Sequence, residues 1–356
     1  MQLTRSEIQL PWKFIVLISP FFLWGTAMVA MKGVIPHTTP FFLAGVRLVP
    51  AGVLVLLFTL IQGRPQPQGW KAWSWIGLFA LVDGALFQGF LAEGLARTGA
   101  GLGSVMIDSQ PLAVAVLSLW LFKDSVGLWG WLGLGIGILG ISLIGLPDAW
   151  ILGGFNLEAI ELSLSNLFQN GEWLMLLAAL SMAVGTVMVR GVCKYVDPVV
   201  ATGWHMIFGG LPLFALSAGL ESQQWQMIDF PGWMALTYST VFGTAIAYGV
   251  FFYLASRGSL TSLSSLTFLT PVFALLFGNL FLGEVLSPLQ SGGVGLTLVS
   301  IYLVNQREVL ANKLRGNHST SGEPSQLQSS PRLILSEKKT VNIPLEVAVK
   351  EQESEH

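Results

Sequence analysis

Three ionisable side chains lie inside long apolar stretches, where a charge costs about 2.5 to 3.5 kcal/mol on insertion scales. They are Arg47, Asp83 and Asp108. At about 1.5 Å per helical residue, Arg47 and Asp108 both lie about 10 Å from the outer ends of their predicted helices and could pair, whereas Asp83 lies near the middle. One interpretation is a carboxylate that contacts a cationic or amine-bearing solute or takes up a proton. The other is an Arg–Asp bridge that fixes helix packing.

Uncharged polar side chains form further faces at helical spacing. Thr244 and Tyr248 lie one turn apart in the eighth apolar stretch, and Thr267 belongs to a polar face of the ninth. Residues three or four apart share one face of a helix. We therefore expect these faces to meet protein or a cavity and not lipid.

Two tryptophans and one histidine also lie within apolar stretches. Trp24 and Trp204 could line a cavity for an aromatic or amphipathic solute or could fill the core, and His205, at nearly the place that Arg47 has in its own helix, could be a switch or hydrogen-bonded structure. The full set of candidate cavity residues is Trp24, Arg47, Asp83, Asp108, Trp204, His205, Thr244, Tyr248 and Thr267.

Two prolines are candidates for helix bends. Pro111 and Pro271 each fall mid-span, where proline frees a carbonyl four residues back. Such bends could serve gating or could be static packing kinks.

The composition requires lipid as the solvent of these stretches. The 356 residues are 53% hydrophobic and only 11% charged, with a mean hydropathy of +0.65, against about 25% charged in soluble domains. The net charge of −2 provides no basic face for a nucleic-acid partner. The single cysteine, Cys193, excludes an intrachain disulfide and a cysteine-based metal cluster. We expect no cofactor and no metal.

Ten segments reach the roughly 20 apolar residues that a spanning helix needs. They cover residues 13–32, 40–62, 73–95, 100–122, 129–146, 172–191, 198–219, 231–256, 260–282 and 287–304. The prediction is an all-α integral membrane protein with ten transmembrane helices.

Lys and Arg concentrate in alternate short loops, which predicts that those loops and both termini are cytoplasmic. The predicted organisation is a cytoplasmic amino terminus, a five-helix repeat, an outer loop, a second five-helix repeat and a disordered cytoplasmic tail: 1–12, 13–146, 147–171, 172–304 and 305–356.

An internal repeat supports this division. A shift of 160 residues aligns Arg97 with Arg257 and Pro111 with Pro271 without a gap, and it carries Gly25-Thr26 onto 185–186. Because each half has five predicted spans, the second half must be inserted upside down relative to the first. The fold class is therefore two inverted five-helix repeats.

The sequence resembles the EamA-type branch of the drug/metabolite transporter superfamily. The likeness covers roughly residues 13–304 and rests on Trp24-Gly25-Thr26, Arg47, Pro111, acidic residues that close the fourth and ninth helices (Asp124, and Gly283-Glu284), and Gly-rich fifth and tenth helices. Lys123-Asp124 stands where the family usually has Gly-Glu, and Asp83, Glu93 and Asp108 are not part of the family pattern.

The resemblance implies a carrier in a bacterial-type plasma (inner) membrane, commonly an exporter of amino acids or other metabolites. Such a carrier works by alternating access from a central cavity lined mainly by helices one, three, four, six, eight and nine. No ATP-binding Gly-x-x-x-x-Gly-Lys-Ser/Thr motif occurs, so energy would come from a proton or solute gradient. The expected partners are the lipid bilayer and a small solute, for a monomer or homodimer. The alternatives are a membrane-embedded enzyme and a non-transporting assembly protein.

Overall fold

The computed structural model describes residues 5–31, 33–97, 106–145, 171–282 and 287–316, which are entirely helix, turn or loop. The predicted loop at 147–171, except its last residue, and residues 317–356 of the predicted tail lie outside this described part. All described residues belong to one compact unit.

The described part of the first half contains five long helices. They are α1 (Arg5–Met31), α2 (Pro40–Ile61), α3 (Gly69–Arg97), α4 (Gln110–Phe122) and α5 (Gly127–Gly145). Proline opens α2 because the first helical position has no intrahelical acceptor for an N–H.

The second half repeats the pattern. Its helices are α6 (Gly171–Val192), α7 (Pro198–Leu220), α8 (Phe230–Ala255), α9 (Leu260–Ser265, a 3₁₀ turn Leu266–Phe268 and Leu269–Leu282) and α10 (Pro288–Gly316). The Asp197 carboxylate accepts hydrogen bonds from the backbone N–H groups of Val199 and Val200 and so caps α7.

Eight of these helices are long and apolar enough to cross a membrane: α1, α2, α3, α5, α6, α7, α8 and α9. The described part of the fourth predicted span is shorter, because Asp108 and Ser109 form a turn before α4 begins at Gln110. The tenth predicted span is helical but less apolar than the others. The all-helical prediction is confirmed for the described residues, and spanning by these two helices stays a prediction.

Helix α10 also runs beyond residue 304, where the predicted tail begins, as far as Gly316. Arg307 anchors this extension, since its guanidinium donates to the hydroxyls of Ser262 (3.0 Å) and Ser259 (3.4 Å) at the start of α9.

Helices α3 and α8 each contain a π-helical segment, Ala80–Leu86 and Ser239–Ile246. A shift of 160 residues superposes the two segments in sequence. The α3 segment packs on α7, and the α8 segment packs on α2. The repeat is therefore visible in an irregularity that the two halves share.

Several helix pairs join the halves. Helices α2 and α7 pack closely, and so do α5 and α10. Small residues allow these approaches: a Cβ on Gly52 would lie 2.7 Å from the carbonyl oxygen of Gly203, and one on Gly140 would lie 2.9 Å from that of Gly293. The two repeats thus form one continuous bundle.

Candidate functional site

A cavity of about 370 Å³ lies between the two halves. Its wall takes residues from α1, α2, α3, α5, α6, α8 and α9 and from the turn that precedes α4. Most lining side chains are apolar, and six of the sequence candidates belong to the wall: Trp24, Arg47, Asp108, Tyr248, Thr267 and Pro271.

The cavity extends toward one end of the bundle. Met31 at the end of α1, Leu43 at the start of α2, Leu95 near the end of α3 and Ile144 near the end of α5 all line it. These helix ends lie on the side that the charge distribution predicts to be outside.

At the opposite end of the bundle, a cluster of contacts forms around Arg190, at the end of α6. Its guanidinium donates to the carbonyl oxygen of Gly258 (2.9 Å), pairs with Asp124 (3.3 Å) and lies 4.6 Å from the centre of the Phe122 ring. This Arg190 cluster ties the loop after α4 to the loop between α8 and α9.

Trp24 and Tyr248 form an aromatic part of the wall. Their ring centres are 5.0 Å apart, and Trp24 also contacts Phe251 at 5.2 Å. Trp24 Nε1 is buried and has no hydrogen-bond partner among the described residues. The Tyr248 hydroxyl accepts a hydrogen bond from Gln88 Nε2 (3.0 Å).

Arg47 enters the cavity from α2 and is held by the π segment of α8. Its guanidinium donates to the Thr244 hydroxyl at 3.4 Å, and that hydroxyl donates to the Ser239 carbonyl oxygen at 3.0 Å. Arg47 Nε is buried without a partner in the described structure. Thr244 is not a lining residue; it positions the arginine that is.

Asp108 lies in the turn before α4 and is 8% exposed, with Gln110 beside it in the cavity wall. Pro111 therefore stands in the first turn of α4, not in the middle of a continuous helix. Pro271 likewise stands in the first turn of the helical segment that follows the 3₁₀ turn of α9. Both repeats break the helix directly before the matching proline.

Asp83 and His205 form a buried pair outside the cavity. Asp83 Oδ2 lies 3.2 Å from His205 Nε2, and the two side chains are 0% and 1% exposed. His205 lies against the ring of Phe79 at 4.3 Å, and Gly185 of α6 contacts Asp83 directly. Neither Asp83 nor His205 is among the lining residues.

Trp204 also lies away from the cavity. Its indole N–H donates to Gln66 Oε1 (3.2 Å), and its ring packs on Trp73 at 5.1 Å. No residue of α7 lines the cavity, because the face of α7 that carries His205 packs on α3 through the touching backbones of Gly84 and Gly209.

The sequence interpretation missed several polar residues of the site. Gln110 and Ser239 line the cavity, and Gln88 supports Tyr248. Thr270, which shares the predicted polar face of Thr267, also lines the cavity. The two glutamines carried a usable signal, since an amide inside an apolar stretch needs a partner as a charge does. Gln110 finds one in Thr186 (3.3 Å).

Known proteins are similar to this chain in sequence and architecture. The EamA-like transporter family matches residues 11–146 and 169–306. A protein of Synechocystis sp. named as an uncharacterized transporter is 65% identical over 312 residues, covering 87% of this chain and 94% of that protein.

A chloroplastic WAT1-related protein of Arabidopsis thaliana is 55% identical over 294 residues, covering 82% of this chain and 68% of the plant protein. A crystal structure with 18% identity superposes with a TM-score of 0.70 over 87% of this chain and 99% of its own, which shows a shared fold.

Three findings give the same assignment: two repeats surround one cavity, the family matches both repeats, and the relatives are named as transporters. The chain belongs to the EamA-like transporter family of the drug/metabolite transporter superfamily, as a multi-pass membrane protein.

Proposed function

We propose that the protein is a secondary carrier that exports a small amphipathic solute, such as an amino acid or a similar metabolite, by alternating access. The observation that carries this proposal is the mostly apolar cavity between the repeats, with Arg47 and Asp108 in its wall. An apolar pocket with few polar groups is typical of a site for a small molecule.

Alternating access follows from two inverted repeats that can exchange their packing arrangements. The Arg190 cluster closes one end of the bundle in this state, and it would have to part when the cavity faces that side. The helix breaks before Pro111 and Pro271 supply matching points for the movement.

The charge bias of the short loops supports a plasma (inner) membrane topology with both termini cytoplasmic. In that topology the cavity extends toward the outside, and the Arg190 cluster closes the cytoplasmic side. The proposed form is a monomer or a homodimer.

Proton coupling through Asp83 is part of the proposal. Asp83 has His205 of α7 at 3.2 Å, and His205 contacts the ring of Phe252, which in turn contacts Tyr248 in the cavity wall. A proton taken up by this buried pair changes the charge next to the cavity wall, so protonation and solute occupancy become linked.

The transport proposal is tested first by comparing extracellular metabolites of cells with and without the gene. Solutes identified there are then followed in proteoliposomes with Ala274→Phe, which fills the cavity wall, and with Leu276→Phe, whose residue is 51% exposed on the same helix. Transport should be lost in the first variant only. Equal transport by both would contradict the assigned pathway.

The coupling proposal is tested by the pH dependence of the same transport in Asp83→Asn and in the Asp83→Asn, Asp108→Asn double variant. Glu93→Gln is the control, because Glu93 pairs with Arg97 at the surface of α3. Full retention of the pH dependence by the double variant would refute proton coupling through these carboxylates.

A further inference from the structure

Two hydrogen-bond donors in the cavity wall are buried without an acceptor in the described structure: Trp24 Nε1 and Arg47 Nε. Buried polar atoms are nearly always paired, because an unpaired donor loses its water and gains nothing in return. Indole and guanidinium groups can only donate. Both side chains line the cavity, so an occupant that brings an acceptor would meet donor groups whose hydrogen-bonding capacity the described residues leave unused.

The positive charge of Arg47 indicates that the acceptor is an anion. A guanidinium remains protonated in proteins, and the ion pairs among the described residues do not include Arg47. Its guanidinium donates a hydrogen bond to the neutral hydroxyl of Thr244. An anionic acceptor on the solute would supply the negative charge that pairs with the Arg47 guanidinium.

The other unpartnered polar atoms of the wall are neutral. Gln110 Oε1 is an acceptor, and the hydroxyls of Ser239 and Thr270 can donate or accept. The wall thus offers one cation, which suits a single negative charge, whereas a dianionic phosphate would need a second cation. A carboxylate is the monoanion whose planar oxygens fit a guanidinium.

The remainder of the wall defines the body of the solute. Met28, Met31, Leu91, Leu95 and Leu275 present apolar surface to the same cavity of about 370 Å³. Asp108 also belongs to the wall and disfavours a carboxylate beside itself, so the anionic end is directed to Arg47.

We propose that Trp24 and Arg47 form a carboxylate subsite, which binds the anionic end of a monocarboxylate solute whose apolar body lies against the methionine and leucine wall. This inference rests on the proposed carrier function and names the class of solute. Thr244 acts as the positioning residue for Arg47, and Tyr248, in contact with Trp24, closes the subsite on the side of α8.

The test measures ligand-induced thermal stabilisation of the purified full chain. The probes are hexanoate, hexanamide and hexylamine, and 3-phenylpropanoate with its amide and amine counterparts, which differ only at the polar end. The carboxylates should stabilise the protein at concentrations at least about tenfold lower than the amides or amines, as expected for a charge-assisted hydrogen bond.

Matched variants assign the effect to the subsite. Arg47→Gln should abolish the preference for carboxylates and Trp24→Phe should weaken it, whereas Arg64→Gln and Trp204→Phe should keep it. Arg64 lies just after the helix that carries Arg47, but it pairs with Asp197. The indole N–H of Trp204 already has an acceptor in Gln66.

If Arg47→Gln fails to fold, Trp24→Phe still decides, because it removes one donor and keeps an aromatic ring. Tighter or equal binding of amines or amides, no stabilisation by carboxylates, or an unchanged preference in the Trp24 and Arg47 variants would overturn the proposal. Carboxylate binding without transport would refute the carrier and leave the subsite intact. Transport of a solute that has no carboxylate would refute the subsite and leave the carrier intact.

Discussion

Replacing Arg190 by glutamine should loosen the closed end of the bundle. The side chain makes an ion pair with Asp124, a hydrogen bond to the Gly258 carbonyl and a contact with the Phe122 ring. A half-exposed ion pair contributes about 0.2 to 1 kcal/mol, a charge-assisted hydrogen bond about 1.5 to 3 kcal/mol and an exposed cation–π contact about 0.5 to 1 kcal/mol.

These contributions are not additive, and glutamine can retain part of the hydrogen bond. A loss of about 2 kcal/mol is a reasonable net value, which multiplies the population of states open at this end by roughly 30. The backbone N–H groups of Arg257 and Gly258 both donate to the Leu254 carbonyl oxygen in the closed state. Hydrogen exchange of these two amides in the reconstituted protein reports the opening directly.

Exchange at Arg257 and Gly258 should accelerate by roughly 30-fold in Arg190→Gln. Arg97→Gln is the matched control, because Arg97 is also an arginine in an ion pair, with Glu93 one turn earlier in α3. Unchanged exchange in Arg190→Gln, or an equal acceleration in the control, would refute the role of the Arg190 cluster in closing this end.

Three further outcomes follow from local geometry. Gly25→Ala should lower thermal stability by about 1 to 3 kcal/mol, because the new Cβ would lie 2.6 Å from Phe273 Cβ. Gly135→Ala, whose Cβ would have nothing within 4 Å, should be neutral or stabilising. A Gly135→Ala variant less stable than Gly25→Ala would be inconsistent with this packing. Lys123→Gly should stabilise by about 0.5 to 1 kcal/mol in a melting experiment, because Lys123 adopts a left-handed φ of 56°. Burial, followed by the nearby Asp197, raises the pKa of Cys193 from 9.0 to about 12. Maleimide labelling of native protein at pH 8 should therefore be about a thousandfold slower than that of an ordinary thiol, and rapid native labelling would contradict this.

The sequence predicted the helical class and the repeat because both depend on regular patterns. Apolar length marks the spans, and the constant shift between Pro111 and Pro271 marks the repeat. The departure at Lys123, where the resembling family has glycine, also has a physical reading: the chain turns there with a positive φ that glycine adopts more readily.

The candidate site was harder to predict, because the signal of a polar residue in an apolar stretch does not say which way the side chain faces. Asp83 and Asp108 look alike in sequence, yet Asp108 lines the cavity and Asp83 is buried against His205. The π segments decide part of this, since each shifts the faces of its helix. The local composition does not predict these π segments. In α8, the Thr244 hydroxyl stabilises the segment by donating a hydrogen bond to the carbonyl oxygen of Ser239, five residues earlier.

The shared π segments make the two halves depend on each other for their register. A π segment accommodates one residue more than an α-helical turn, and one residue corresponds to about 100° of rotation around a helix axis. Deleting one residue from Ser239–Ile246 would therefore restore a regular α-helix and keep Tyr248 on the side of Trp24, whereas a deletion in the regular turns before this segment would rotate Tyr248 relative to the start of the helix. The repeats align without a gap at a shift of 160 residues because the geometry requires it. An insertion or deletion in these helices is tolerable only where the residues that line the cavity still face it.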